Sequence, residues 1–425
     1  MCPPNSDNRA CRRPALEFVA VRRIKTVSPS PETPVTGVTK PRDHELPTEQ
    51  FPIGRGASLA ELDNDPHPLL ARLRTKEPVS WLAARGGWLV TRYDLAVTVM
   101  RDPATFTVDD PRFSTSRVVG PSMLSLDGAD HLRHRAPFAH PFRTAPVKDR
   151  FAELIEAEAD RLISAMPAGS AELRREFAGP LAAKVVTEAL GLRDVDVDTV
   201  LSWYAAIVAA VSEVTAGGPV TQAGADAFAE LKAAVRRRCS KALAPEGLSH
   251  DEVASNAAVL MFGGIDTTEG MILNAVRHLL ANAEPGTPPL EHTDLLPNAI
   301  EESIRLEPAA AVVDRYATRD VELGDARIRR GDLVSVSIAG ANRDPAVFCD
   351  PDRFDIRRAN ARLNLAFAQG PHFCLGAQLA RTETAIAISR LLDRLPGLRL
   401  DPDHPNAPMG LVFRKPPELH VRWTV

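Results

Sequence analysis

One cysteine near the end of the chain stands where sulfur chemistry is easiest to support. Cys374 lies in Phe367-Ala368-Gln369-Gly370-Pro371-His372-Phe373-Cys374-Leu375-Gly376, a loop bearing glycine and proline, and an amphipathic run from Ala377 to Leu395 follows at once. That run reads as a helix, whose first N–H groups lack intrahelical partners and whose N-terminal end is positive. A thiolate there is stabilised, so the expectation is a lowered thiol pKa and a sulfur suited to a metal. The competing reading is a small buried core residue, the common fate of a lone cysteine. A second stretch with chemistry in it is Gly263-Gly264-Ile265-Asp266-Thr267-Thr268. Two glycines in a helix cost about 1 kcal/mol each against alanine, and a carboxylate in an apolar helix needs partners or a task. Either this is a packing notch with Asp266 in a buried ion pair, or the helix opens so that a small ligand lies against it. A third feature is basic: His131 and Arg135, at i and i+4, face one side of a helix and can clamp a single anion.

The elements that must position these groups are mostly helical. Ser249-His250-Asp251-Glu252 is a capping box, and the nearly breaker-free run after it predicts a helix to about Ala281. Roughly 30 residues make it roughly 45 Å long, and apolar residues nearly all round mark it as central and buried. From Asp149 to Ala244 the pattern is helical, broken at Pro167-Ala168-Gly169 and Gly217-Gly218-Pro219. Earlier, Pro66-His67-Pro68 opens a helix, and Val79–Ala83 with Gly87–Thr91 reads as a hairpin. Residues 102 to 125 read as a long loop in which prolines and glycines break any helix. Pro137 shortens or kinks the helix that carries His131 and Arg135. Glu302 and Arg305 form an i, i+3 pair, a spacing that Glu158 with Arg161 and Glu172 with Arg175 share. Short strands follow from Asp314 to Val336, and Leu411-Val412-Phe413 with Leu419-His420-Val421 reads as a final hairpin.

A chain of 425 residues with net charge −4 and a quarter of its residues charged is that of a globular protein and not of a general nucleic-acid binder. Five cysteines without C-x-x-C spacing suggest neither a zinc site nor a disulfide framework. No uninterrupted run of about eighteen apolar residues and no signal-peptide pattern occurs, so no membrane span and a cytoplasmic location are expected. Residues 1–50, rich in Pro, Ser, Thr and Arg, read as a disordered extension before a single domain over 51–425.

Phe367, Gly370, His372, Cys374 and Gly376 together resemble the haem-binding loop of the cytochrome P450 superfamily. The resemblance implies a mainly α fold with a small β region, and Cys374 as the axial ligand to the iron of haem b. It also implies that Phe367 shields the sulfur, that Gly376 belongs to the cofactor loop, and that His372 meets a haem propionate. His131 and Arg135 would hold a propionate and Arg315 the other. Gly263-Gly264 with Asp266 and Thr267 resembles the family's oxygen groove, where an acid-threonine pair relays protons. Glu302 and Arg305 match its Glu-x-x-Arg, and Arg353 in Pro351-Asp352-Arg353-Phe354 would complete a structural ion cluster. Phe262, Gly263, Val313 and Phe413 would line the substrate pocket, with Arg112, Phe113 and Arg117 covering it. Many members have glycine where this chain has Ala368, and proline where it has Ala309.

The implied activity is insertion of one oxygen atom from O2 into a small apolar substrate, in natural-product biosynthesis. Electrons would come from NAD(P)H through a ferredoxin reductase and a ferredoxin, docked on Arg133, Arg135, Arg143 and Arg381; the chain would act as a monomer. A haem sensor or electron carrier has no need of Asp266-Thr267, and a peroxide-driven peroxygenase needs no such relay.

Overall fold

The computed structural model describes residues 50–239, 247–284, 287, 289–290 and 292–425. The extension expected before residue 51 lies outside them, save for Gln50.

Three short helices come first, α1 (Pro52–Gly56), α2 (Leu59–Asn64) and α3 (His67–Lys76), the last with a proline in its first turn as expected. The hairpin β1 (Val79–Leu82) and β2 (Gly87–Val90) pairs Val79 with Val90, and Gly86, at φ +62°, supplies the left-handed turn residue. After α4 (Tyr93–Arg101) and β3 (Phe106–Thr107), the segment read as helix-free contains α5 (Ser114–Val119). It is one short helix between the breakers Pro111 and Gly120, long enough to bury Thr115, Val118 and Val119. Helix α6 (Gly128–Ala139) ends two residues after Pro137 and passes into a 3-10 turn, so His131 and Arg135 keep their common face.

The helical middle comprises α7 (Thr144–Ala165), β4 (Ser170–Glu172), a π-turn at Arg174–Ala178, α8 (Gly179–Leu190), α9 (Val197–Thr215) and α10 (Gln222–Cys239). By length and composition alone α9 could cross a membrane. Its apolar face, Val200, Trp203, Ile207 and Val211, is instead packed in a core with α5 and α10. Helix α11 (His250–Ala281) is the central element, and its capping box is complete: Ser249 Oγ accepts from Glu252 N, and Glu252 Oε2 accepts from Ser249 N at 2.8 Å. Residues Val253 to Ile265 of α11 belong to one apolar cluster and Met271 to Leu280 to another. The glycine, aspartate and threonine stretch therefore lies where the helix passes from one core to the next.

The second cluster joins α7, α8 and α11 to α12 (Leu296–Leu306) and α14 (Ala377–Arg394). Strands β5 (Val312–Ala317) and β8 (Leu333–Ser337), with α13 (Ile338–Ala341) after β8, complete a five-stranded sheet in the order β1-β2-β8-β5-β3, antiparallel except for β2 with β8. Strands β6 (Val321–Leu323) and β7 (Ala326–Ile328) form a separate hairpin. The final hairpin does not form. Strand β10 (His420–Arg422) pairs with β4 and with β9 (Arg399–Leu400), whereas Phe413 bridges to Ala310. Pro416-Pro417 between the two runs withholds the donors a tight hairpin needs.

Candidate active site

The cysteine loop is closed by its backbone: Cys374 N donates to Phe367 O at 2.9 Å and Phe373 N to Gly370 O at 3.1 Å. At Gly370, φ is +73° and a Cβ would stand 2.6 Å from Met100 O, so only glycine fits. Ala368 also adopts the left-handed region, φ +58°. The loop path is thus kept at a cost of about 1–2 kcal/mol. The ring of Phe367 is buried with the Arg381 guanidinium 4.3 Å above it, and Gly376 is the N-cap of α14. Cys374 faces open space although protein atoms crowd round it. Burial therefore pushes its thiol up, and the N–H groups of Gly376 and Ala377 with the Arg135 and Arg381 charges only oppose this. The lowered pKa expected from the helix end is overturned, because desolvation outweighs the helix terminus. A coordinating metal, which deprotonates a thiol outright, would reverse that balance.

Around the loop, α6 and β5 converge. Arg135 donates from Nη2 to the carbonyl of Phe373, next to the cysteine, at 2.6 Å. The rings of His131 and His372 lie 4.4 Å apart, and His372 Nε2 is 2.8 Å from Asp127 Oδ1. Asp127 also accepts from Thr107 Oγ1 at 2.7 Å and Val108 N at 2.9 Å; although burial pushes its carboxyl up, these bonds hold it down at about 2. His131 is buried with Nε2 unpartnered, and burial, then His372 and Arg135, lowers it to about 4. Arg315 is buried too and donates to the carbonyl of Asp314 at 2.7 Å; desolvation lowers its pKa and Asp127 opposes. Two guanidiniums and two imidazoles, one of them with an unpartnered ring nitrogen, beside a cysteine sulfur fit a prosthetic group with anionic carboxylates and a metal. These residues fit haem.

On α11 the two glycines part company. A Cβ at Gly264 would stand 2.5 Å from Val186 Cγ2, so this glycine is the packing notch with α8. A Cβ at Gly263 would meet nothing within 4 Å. The helix does not open there. It runs unbroken, and Thr267 Oγ1 donates to the Gly263 carbonyl, while Thr268 is buried. Asp266 is paired with Lys415, and burial together with the Asp266 charge pushes up the pKa of Tyr204 on α9. One turn earlier, Phe262 meets Phe413 edge to face with ring centroids 5.2 Å apart. The Ala310–Phe413 bridge sets that aromatic pair beside Ala309–Val313, with Val313 on β5 half-buried.

Behind the loop, Glu302 accepts from Arg305 Nε and Nη2 at 2.7 and 2.8 Å, and from Arg358 Nε at 2.9 and 3.0 Å. Arg353 is not the third partner. The turn at Asp350, φ +44°, sends its side chain outward and its carbonyl inward, where it accepts from Arg305 at 3.2 Å and Arg358 at 3.1 Å. Nothing in the sequence separates Arg358 from Arg353. Asp127, four residues before His131, carried a usable signal as an N-cap type at the helix start; Lys415, which pairs with both Asp266 and Glu269, carried none.

The family model Cytochrome P450 matches residues 271–421. Cytochrome P450 107B1 of Saccharopolyspora erythraea is 34% identical over 84% of this chain and 95% of its own length. The chain belongs to the cytochrome P450 superfamily. The mycinamicin IV hydroxylase/epoxidase of Micromonospora griseorubida is 33% identical over 85% of this chain and 97% of its own. Among solved structures, P450BioI in complex with a fatty-acyl-ligated acyl carrier protein has TM-score 0.76 at 27% identity, covering 85% of this chain and 99% of that one. CalO2 has TM-score 0.75 at 30% identity, covering 85% and 96%. As a cytochrome P450 the protein is a haem b monooxygenase, an oxidoreductase that uses O2 and electrons passed from NAD(P)H by redox partners.

Proposed function

We propose that this cytochrome P450 oxygenates an apolar small molecule of secondary metabolism, in the cytoplasm, with electrons from a ferredoxin served by a ferredoxin reductase. The observation that carries the site assignment is the Arg135 bond to the carbonyl of Phe373, which ties the cationic cluster to the cysteine loop. Haem b, when bound, supplies activation of O2 for insertion of one oxygen atom into a substrate bond. Cys374 would ligate its iron, and His131, Arg135, Arg315 and His372 would hold its propionates. Phe262, Gly263, Val313 and Phe413 would line the apolar substrate pocket; the similarity to the mycinamicin IV hydroxylase/epoxidase supports a natural-product substrate. Thr267 presents a hydroxyl that gives one proton into the pocket and regains one from Asp266, whose carboxyl recharges from solvent.

The ferredoxin face is supported less by the expected arginines than by what surrounds them. Arg133 is bound to Glu252, Arg135 to the Phe373 carbonyl and Arg381 to Glu301, while Arg143, Leu132 and Phe373 are exposed. The test has two parts. Reduced protein with carbon monoxide should give the long-wavelength band of a thiolate ligand, and Cys374→Ala should abolish it; a persisting band overturns the ligand. Thr267→Val should keep substrate binding but divert reducing equivalents to peroxide; unchanged product per NAD(P)H removes Thr267 from the relay.

A further inference from the structure

The loop that joins α5 to α6, Gly120 to Asp127, is pinned to α11 by a side chain. Its turn closes on itself, with Ser122 N donating to Ser125 Oγ at 3.1 Å and Ser125 N to Ser122 O at 3.0 Å. Met123 N instead donates across to Asn256 Oδ1 of α11 at 2.8 Å, and both residues are buried. Gly120 comes close to the same helix, since a Cβ there would stand 3.2 Å from Ser255 Oγ. The loop ends at Asp127, which holds His372 of the cysteine loop. Asn256 stands about two turns before Gly263 on α11.

Two backbone groups fix the orientation of the Asn256 amide. Its oxygen faces the Met123 N–H, and its nitrogen donates to the Glu252 carbonyl at 2.8 Å. Turned over, it would set donor against donor and acceptor against acceptor. The same nitrogen lies 3.0 Å from His134 Nδ1 of α6. Because the amide presents an N–H there, Nδ1 accepts, and the ring proton sits on Nε2, 3.2 Å from Glu252 Oε1. Arg133 Nη2, 3.2 Å from that ring nitrogen, donates to the same oxygen at 2.8 Å. His134 and Asn256 are 1 and 0% exposed, so bulk water does not replace a lost partner.

We propose that His134 is a pH-sensitive latch on this loop: neutral, its Nδ1 holds the Asn256 amide in the orientation that binds Met123 N, and protonated, it turns that amide over and releases Met123. The proton bonds to the Nδ1 lone pair, and the Asn256 oxygen becomes its acceptor. Both helices bring charged groups to the ring. On α11, Glu252 favours the imidazolium; Arg133 and then the Ser249 N–H hold its carboxyl down at about 2, so it stays charged. On α6, Arg133 opposes the added proton and is itself bonded to Asp130 at 3.4 Å, while Arg135 is turned to the Phe373 carbonyl. His131, lowered to about 4, is neutral at the pH values used below. The loop carries no charge before Asp127. Its effect on the haem pocket rests on the reading of this loop as part of the pocket's cover.

Hydrogen exchange of the haem-loaded protein, followed by mass spectrometry on peptides spanning residues 118–126, tests the latch. Between about pH 8 and about pH 6, with the thiolate band intact, exchange corrected for its intrinsic pH dependence should become several-fold faster. His134→Asn puts a non-titrating acceptor where Nδ1 stands and should keep the segment protected throughout. Asn256→Ala removes the acceptor of Met123 N and should leave it unprotected throughout. Wild-type protection that does not change with pH, or an equal change in His134→Asn, overturns the latch; the first of these results needs no variant. Carbon monoxide, a neutral probe, reports on the pocket: after flash photolysis of the reduced protein its rebinding should speed several-fold on acidification, and not in His134→Asn. Exchange that follows pH in wild type alone, with rebinding that does not, supports the latch and overturns the reading of the loop as a cover.

Discussion

Arg358→Ala removes one of two guanidiniums from a carboxylate that has no access to water: the side chains of Glu302 and Arg305 are 0% exposed and that of Arg358 is 7%. After truncation Glu302 keeps Arg305 and the N–H of Asp355 at 3.0 Å, but loses both bonds from Arg358. The carbonyls of Cys349, Asp350 and Arg353 lose a donor at the same time. Breaking a buried ion pair from one side costs about 3–5 kcal/mol, and the remaining arginine argues for the lower end. At about 2 °C per kcal/mol, suited to a large domain, the unfolding midpoint should fall by roughly 6 °C. Arg353→Ala leaves the inward carbonyl intact and removes only an exposed side chain. It should stay within about 0.5 kcal/mol of wild type. Arg358→Lys keeps the charge without the planar fork and should fall between the two. Thermal unfolding followed by far-UV circular dichroism, with haem content checked in each sample, makes the comparison. An Arg353→Ala variant that loses as much as Arg358→Ala would refute this account of the cluster.

Gly264→Ala forces a Cβ to 2.5 Å from Val186 and should cost about 1–3 kcal/mol. Gly263→Ala meets nothing and should be neutral or gain up to about 1 kcal/mol in thermal unfolding; equal losses would contradict the division between the two glycines. Ala368→Gly should gain about 1 kcal/mol by relieving the left-handed backbone, and Gly370→Ala should lose more than that, as read from urea midpoints. Burial raises the Glu383 carboxyl to about 8, and its Oε1 has no partner. A folded pKa above the unfolded value near 4.5 means that the stability it contributes is whole below about 4.5 and is lost as pH rises through about 8. Glu383→Gln should therefore match wild type at pH 4.5 and become the more stable of the two towards pH 8; a pH-independent difference in urea midpoints would argue otherwise.

Local signals sufficed wherever neighbours in sequence decide the structure. The capping box Ser249 with Glu252 and the unbroken apolar run after it determine α11, since a helix depends on contacts within four residues. The hairpin from Val79 to Val90 and the shared face of His131 and Arg135 are determined in the same way, whereas the loop before α14 requires glycine at 370 partly because Met100 of α4 packs against it. Groups that act across the fold were decided only when distant segments met. Lys415 reaches Asp266 across 149 positions, and Arg358 reaches Glu302 across 56 while Arg353, closer to it in sequence, turns outward. Gly263 and Gly264 are identical letters until Val186 of α8 presses on one and open space faces the other. The thiol of Cys374 shows the same limit: the helix end that favours its charge is a local feature, and the burial that outweighs it belongs to the whole packed chain.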